Sequence, residues 1–288
     1  MKCFIVLWLT CIGSSYSFLF GGGSGPEWDS LKVTWGPNPL SREYFVKQPR
    51  TTAEAKKNGF EPIAGQCEGK FLGQRYIKGK DVGVILIFDK QGTIAGVQMA
   101  IPTSMITEKT FKFLSQRMFN RDNIVGIDVY ILTAYFVDPS TICTSGRDAT
   151  GLKNEGTGTG LWLQNGTNPI SDSVQAPLYE SGVSATKWTK GACFPSMGVH
   201  YWYDNRLEKD CDDFFPSFLM YNKGKLTGFG WAAVGKYEYT KRTEFPPYSA
   251  IKSFLNPVPT CMEQRYKDVG GFTTMHIYFN TAAWNLLC

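Results

Sequence analysis

Histidine is nearly absent from this chain: 288 residues contain two, His200 and His276. That scarcity narrows the chemistry. H-E-x-x-H does not occur, so a zincin-type metal site is not indicated. G-x-S-x-G is also missing, and with it the strained turn that presents a catalytic serine. No two cysteines beyond Cys11 lie closer than 18 positions apart, which leaves no C-x-x-C pair for zinc. Past the N-terminus no stretch approaches the roughly 18 apolar residues that a membrane-spanning helix requires. The net charge is +5, yet Lys and Arg are scattered among Asp and Glu without a dense basic block. Nucleic acid and anionic membrane surfaces are therefore not implied as partners. Gly156-Thr-Gly-Thr-Gly160 lacks the Lys-Ser/Thr ending of a phosphate loop and reads as a flexible linker.

The N-terminus supplies the first positive signal. Lys2 precedes an apolar run over residues 4–12, and Gly13, Ser14, Ser15 and Ser17 follow, a pattern that predicts a signal peptide over residues 1–17. Glycines at 21–25 then read as a flexible exit segment. The expected location is extracellular. Of eight cysteines, Cys3 and Cys11 leave with the leader; Cys67, Cys143, Cys193, Cys211, Cys261 and Cys288 remain. An even number in an oxidising compartment predicts three disulfides. Asn165-Gly166-Thr167 is a glycosylation sequon in a polar stretch.

The mature sequence repeats a pattern. Residues 85–99 and 218–231 both run apolar residues into an aromatic, then Asp89 or Asn222, a lysine, a Gly turn, and a second apolar run. That is hairpin chemistry. Upstream lie Cys67 with Gly73-Gln-Arg-Tyr76 and Cys193 with Gly198-Val-His-Tyr201; downstream lie helix candidates at 104–119 and 249–255. Phe111, Leu114 and Met118 give the first of these its helical spacing, with Ser104 as its cap. Strand-like runs at 127–136 and 273–279 follow, ahead of Cys143 and Cys288. Each half thus reads cysteine, strand, hairpin, helix, strand, cysteine, which points to duplication. The expected pairing is Cys67–Cys143 and Cys193–Cys288, leaving Cys211–Cys261. The expected fold is α+β, mainly antiparallel sheet, with two similar halves packed as a pseudo-dimer. Residues 18–66 form an irregular segment with a short helix at 52–57, residues 67–143 the first half, 144–186 a Gly/Thr-rich linker, and 187–288 the second half.

The runs GVILIFDKQGTIAGVQM, MGVHYWYD, FFPSFLMYNKGKLTGFGWA and TTMHIYF resemble a group of uncharacterised secreted invertebrate proteins. The resemblance spans most of the chain from Trp28 onward. It implies secretion and carries no activity, ligand or site residue with it.

His200 and His276 are the candidate site. Each lies in a strand of the second half and is flanked by aromatics; neighbouring strands would bring the two imidazoles together, with Tyr201 or Tyr278 to complete a ligand, acid/base or metal site. Copper or zinc would be the metal. The competing expectation is that both rings are core histidines bonded to carbonyls. Arg75 occupies the position of His200 in the first half, so any such site should be single. Asp210, Asp212 and Asp213 crowd near Cys211 without the spacing of a calcium loop. The tryptophans at 28, 35, 162, 188, 202, 231 and 284 either fill the core or form a surface for stacking. No cofactor is evident. The expected function is non-enzymatic binding of an extracellular protein, matrix component or small ligand. An enzyme using His200 and His276, and a structural matrix glycoprotein, are the alternatives.

Overall fold

The computed structural model describes residues 27–286 and residue 288. The expected leader at 1–17 and the glycines at 21–25 lie outside the described residues. The chain opens with two short strands, β1 (Lys32–Val33) and β2 (Val46–Lys47), and a helix α1 (Thr52–Lys57) capped by the Thr51 side chain. Next come β3 (Phe60–Pro62), β4 (Gln74–Lys78), β5 (Asp81–Phe88) and β6 (Ile94–Pro102). Helix α2 (Glu108–Leu114), β7 (Asn120–Ile124) and β8 (Ile127–Tyr135) follow. Helices α3 (Pro139–Ile142) and α4 (Ala149–Glu155) lead into β9 (Leu161–Gln164) and β10 (Ser173–Ala176). The second part has β11 (Trp188–Phe194), β12 (Gly198–Tyr203), β13 (Ser217–Asn222) and β14 (Lys225–Val234). Helices α5 (Tyr248–Phe254) and α6 (Met262–Val269) precede β15 (Phe272–Tyr278).

The strands form two antiparallel sheets. One runs β10-β9-β8-β6-β5-β4-β3, with β7 also on β8; the other runs β11-β12-β13-β14-β15-β1-β2. Alternation along each strand sends one set of side chains between the sheets. From the first sheet these are Leu86, Phe88, Val97, Met99, Leu132 and Phe136; from the second, Leu219, Phe229, Trp231, Met275, Ile277 and Phe279. Phe136 meets Phe229 and Phe279 edge-on across the gap, with centroids 6.2 and 5.2 Å apart. The opposite face of the second sheet carries His200, Phe218, His276 and Tyr278, and α5 packs over it against β11.

The two sheets share their pairing geometry. In the first hairpin Phe88 pairs with Ile94 and Ile87 with Gly96; in the second Tyr221 pairs with Leu226 and Met220 with Gly228, and the register shifts at the same step in both. Gly73 and Gly198 both have positive φ, and a Cβ on either would lie about 2.5 Å from the backbone oxygen of Phe88 or Tyr221. The disulfides are Cys67–Cys143, Cys193–Cys288 and Cys211–Cys261.

Several expected segments differ. Residues 144–186 are not a linker: α4, β9 and β10 lie within them and extend the first sheet, because Leu161, Leu163 and Ala176 reach the core. The run 156–160 is packed, not flexible. A Cβ on Gly158 would sit 2.0 Å from the Phe136 oxygen, and Thr157 is fully buried. Within the segment expected to be irregular, β1 and β2 complete the second sheet. The helix expected over 104–119 is confined to α2 and begins at Thr107, whose hydroxyl forms a capping box with Thr110. Phe113 and Leu114 face the core while Phe111 is 55% exposed, so the spacing named the wrong phenylalanine. Helix α6 was not anticipated; its apolar signal is weak, with Met262 alone fully buried.

Candidate functional site

Strands β12 and β15 lie on either side of the β13–β14 hairpin, and the glycines of β14 decide what fits between them. Gly230 pairs with Phe218 on one side and His276 on the other. With no side chain at Gly230, the Phe218 ring spreads across the strand and meets both imidazoles, at 5.3 Å from His200 and 5.0 Å from His276. The two histidine rings are perpendicular with centroids 6.3 Å apart. They share a face but are not hydrogen-bonded to each other.

Their environments differ sharply. His200 is sealed under Phe254 of α5, Trp202 and Phe218, and neither ring nitrogen has a partner. The backbone at Ala192 and Gly198 comes near without reaching hydrogen-bond geometry. Burial pushes its pKa down to about 3, with His276 acting in the same direction. His200 is thus a neutral ring inside an aromatic slot. His276 instead bonds through Nδ1 to Glu244 Oε2 at 3.0 Å and lines a cavity.

Of the two tyrosines, Tyr278 stacks near His276 and Tyr201 points to the other face of its strand. The Tyr201 hydroxyl donates to Glu180 at 2.6 Å, beside Tyr221, so it takes no part in the histidine cluster. The four expected residues therefore do not form one site. The Tyr278 hydroxyl is buried without a partner. Among the described residues no group of three His, Cys, Asp or Glu side chains is placed to hold a metal. Two of the three aspartates at 210–213 are engaged by cations of the protein itself, Lys112 and Arg265 on Asp212 and Lys209 on Asp213, while Asp210 accepts the Asp212 amide.

The cavity holds about 580 Å³ and opens where β1 leaves the sheet. Thr34 follows β1 with φ of +72°, a conformation rare for a β-branched residue, and the chain turns away from β15 there. The vacated edge of β15 is taken by Glu244, which pairs with Thr274 through reciprocal backbone hydrogen bonds of 2.8 and 2.9 Å. Trp35 forms one wall, with its indole N–H donating to Ser196 Oγ at 2.9 Å, and the Tyr44 ring closes over Gly36. Phe194, Phe245, Pro246 and Phe254 add apolar lining. Lys241 and Glu43 are exposed at the edge.

Glu244 is tightly held. Oε1 accepts from the Trp35 amide at 2.6 Å and from the His276 amide at 3.4 Å; Oε2 accepts from Thr274 Oγ1 at 2.9 Å and from His276 Nδ1. Four donors around one carboxylate leave it no free lone-pair direction toward a ligand. The imidazole is fixed in orientation, and among the described residues Nε2 has no hydrogen bond. Unlike the nitrogens of His200, it is not sealed off, and His276 lines the cavity. Glu244 and Trp35 were not legible as site residues. Glu244 is one carboxylate in a loop 32 positions from its histidine, and nothing local marks such a partner.

Of the tryptophans, Trp28, Trp188, Trp202 and Trp231 are core, Trp284 is 42% exposed, and Trp35 lines the cavity. They form no exposed row. No protein-family model, curated protein or solved structure matches the chain.

Proposed function

We propose that this is a secreted extracellular protein that binds a small, largely apolar ligand in the cleft beneath α5. One observation carries the proposal: an aromatic-lined cavity of about 580 Å³ converges on a single oriented imidazole–carboxylate pair. Cavities of this size, mostly apolar with few polar groups, are the usual form of small-molecule sites. Three disulfides fit an oxidising compartment, and among the described residues no helix is long and apolar enough to cross a membrane. A leader at 1–17 and glycosylation at Asn165 complete this picture of a secreted protein.

The test is saturable binding of Nile red, a neutral apolar dye, by the purified protein. Ala250 lines the cavity from α5 and is half-buried, so Ala250→Trp fills the space without entering the sheet. Loss of dye binding in that variant, at unchanged circular dichroism, is the expected result. Equal binding by both proteins would remove the cleft from consideration.

A second reading has its own support. A carboxylate bonded to Nδ1 is how enzymes orient a general base. Among the described residues no hydroxyl or thiol is bonded to Nε2, so such an enzyme would activate water. Hydrolysis of apolar esters, lost in His276→Phe, is the measurement that would favour it.

The common strand order, the matched bulges and the two half-spanning disulfides support internal duplication of the chain. In that view β9–β10 and β1–β2 are counterparts, each flanking the fourth strand of its half.

A further inference from the structure

We propose that the cleft selects ligands whose polar end donates a hydrogen bond, an apolar alcohol or phenol, because Glu244 holds His276 in the tautomer with its lone pair on Nε2. This inference rests on the binding function proposed above and assigns the chemistry of the ligand.

A neutral imidazole carries one N–H and one lone pair, and the partner of one nitrogen dictates the other. Oε2 of Glu244, 3.0 Å from Nδ1, is an acceptor and so requires the proton at Nδ1. Nε2 is then the acceptor of a ring that lines the cavity. The other polar groups there do not fix a preference. Thr34 Oγ1 already donates to the Arg242 carbonyl at 3.0 Å. The Thr243 hydroxyl is buried without a partner, and a hydroxyl, like the Tyr44 phenol, can rotate to donate or accept. An ammonium ligand finds no free carboxylate oxygen, since both oxygens of Glu244 are filled, and Glu43 lies at the exposed edge beside Lys241. A neutral donor on an apolar body is what remains.

Glu244→Gln should invert the preference. The amide oxygen must stay at the Oε1 position, because the N–H groups of Trp35 and His276 both point there. The NH₂ group then faces Nδ1, donates to it, and moves the ring proton to Nε2. The cavity would then present a donor, which favours a ketone.

The test uses 1-octanol and 2-octanone as matched competitors of Nile red at a fixed pH of about 8. The wild-type protein should prefer the alcohol by about three- to tenfold, one hydrogen bond's contribution. The ratio should fall below one in Glu244→Gln and approach one in His276→Phe. With two histidines in the chain, imidazole ¹⁵N shifts report the tautomer directly and need no ligand: Nε2 of His276 should be unprotonated in the wild type and protonated in Glu244→Gln. Equal affinity for the two competitors, or an Nε2–H tautomer in the wild type, overturns the inference and leaves the binding cleft intact. Failure of all three probes to bind removes both.

Discussion

Replacing His200 should flatten the acid dependence of stability. The ring is fully buried among Phe218, Phe254 and Trp202, with both nitrogens unpartnered, and its pKa is held down at about 3 against an ordinary 6.5. The native protein therefore keeps His200 neutral while the unfolded chain protonates it. Its contribution to stability is complete above about pH 6.5 and is lost as pH falls from there toward the folded value. Between about pH 7.5 and pH 4.5 the linkage amounts to roughly 2.5 kcal/mol. A folded pKa one unit higher would change that figure by only about 0.1 kcal/mol, because pH 4.5 still lies above it. His200→Phe keeps an aromatic ring in the slot and removes the titration. Denaturant unfolding of both proteins at the two pH values, disulfides intact, measures the effect. The carboxylates and His276 are common to both, so the difference in acid loss isolates His200. We expect the wild type to lose about 2.5 kcal/mol more than the variant. Acid losses that agree within about 0.5 kcal/mol would mean that His200 is reached by water or proton-bonded in the native state, contrary to its burial.

Two further substitutions test the frame around the cleft. Gly230→Ala places a Cβ 2.2 Å from Phe218 Cζ and 2.5 Å from the Met275 oxygen. The ring can shift but the neighbouring strand cannot, so a loss of about 3 kcal/mol is expected by denaturant titration, together with weakened dye binding. Asp89→Ala removes a buried acceptor from the amides of Gln91, Thr93 and Arg147. Three donors left without partners should cost more than about 3 kcal/mol, read as a lower melting temperature or failure to secrete, and unchanged stability would refute the count.

The hairpins were legible because their turns demand particular residues. Asp89 and Asn222 begin them, Gly92 and Gly224 supply the positive φ, and continuous apolar runs mark the flanking strands. The two histidines were expected on adjacent strands; they share a sheet face, but β13 and β14 lie between their strands, and Phe218 over Gly230 bridges the rings. What separates them was not legible. One side chain is sealed by Phe254, from a helix some fifty positions away, and the other is claimed by Glu244, which reaches β15 through a single backbone bridge. The segment at 144–186 misled for a related reason: its polar, Gly-rich composition describes its exposed side, while Leu161 and Leu163 pair it into the sheet. Local composition reports exposure well and long-range pairing poorly.

The matched registers also show how the cleft arises at this position of the second sheet. Gly230 pairs with His276 at the position where, in the first sheet, Gln98 pairs with Thr133. Those two side chains are fully buried, and Gln98 donates to Thr133 Oγ1 at 3.0 Å, so that face closes on itself beneath Ile85, Ala100 and Ile131. The bridge of Glu244 to Thr274 likewise corresponds to that of Asn120 to Ile131. Asn120 donates its amide to the Gly166 carbonyl at 3.0 Å, in the hairpin joining β9 and β10. Glu244 does the converse and accepts the Trp35 amide from the hairpin joining β1 and β2. The same junction is thus held by an interaction of opposite sense. A carboxylate there has lone pairs beyond the one that Trp35 takes, and an imidazole at 276 supplies a donor that the hydroxyl at 133 has no carboxylate to meet. The segment that carries each bridging residue settles the remainder. After α2, residues 120–124 form β7 and pair along β8, whereas residues 235–271 pass through Pro246 and Pro247 into α5 and arch over the sheet. Space under that arch, and a carboxylate whose donors fix one imidazole, are two consequences of replacing a strand with a loop.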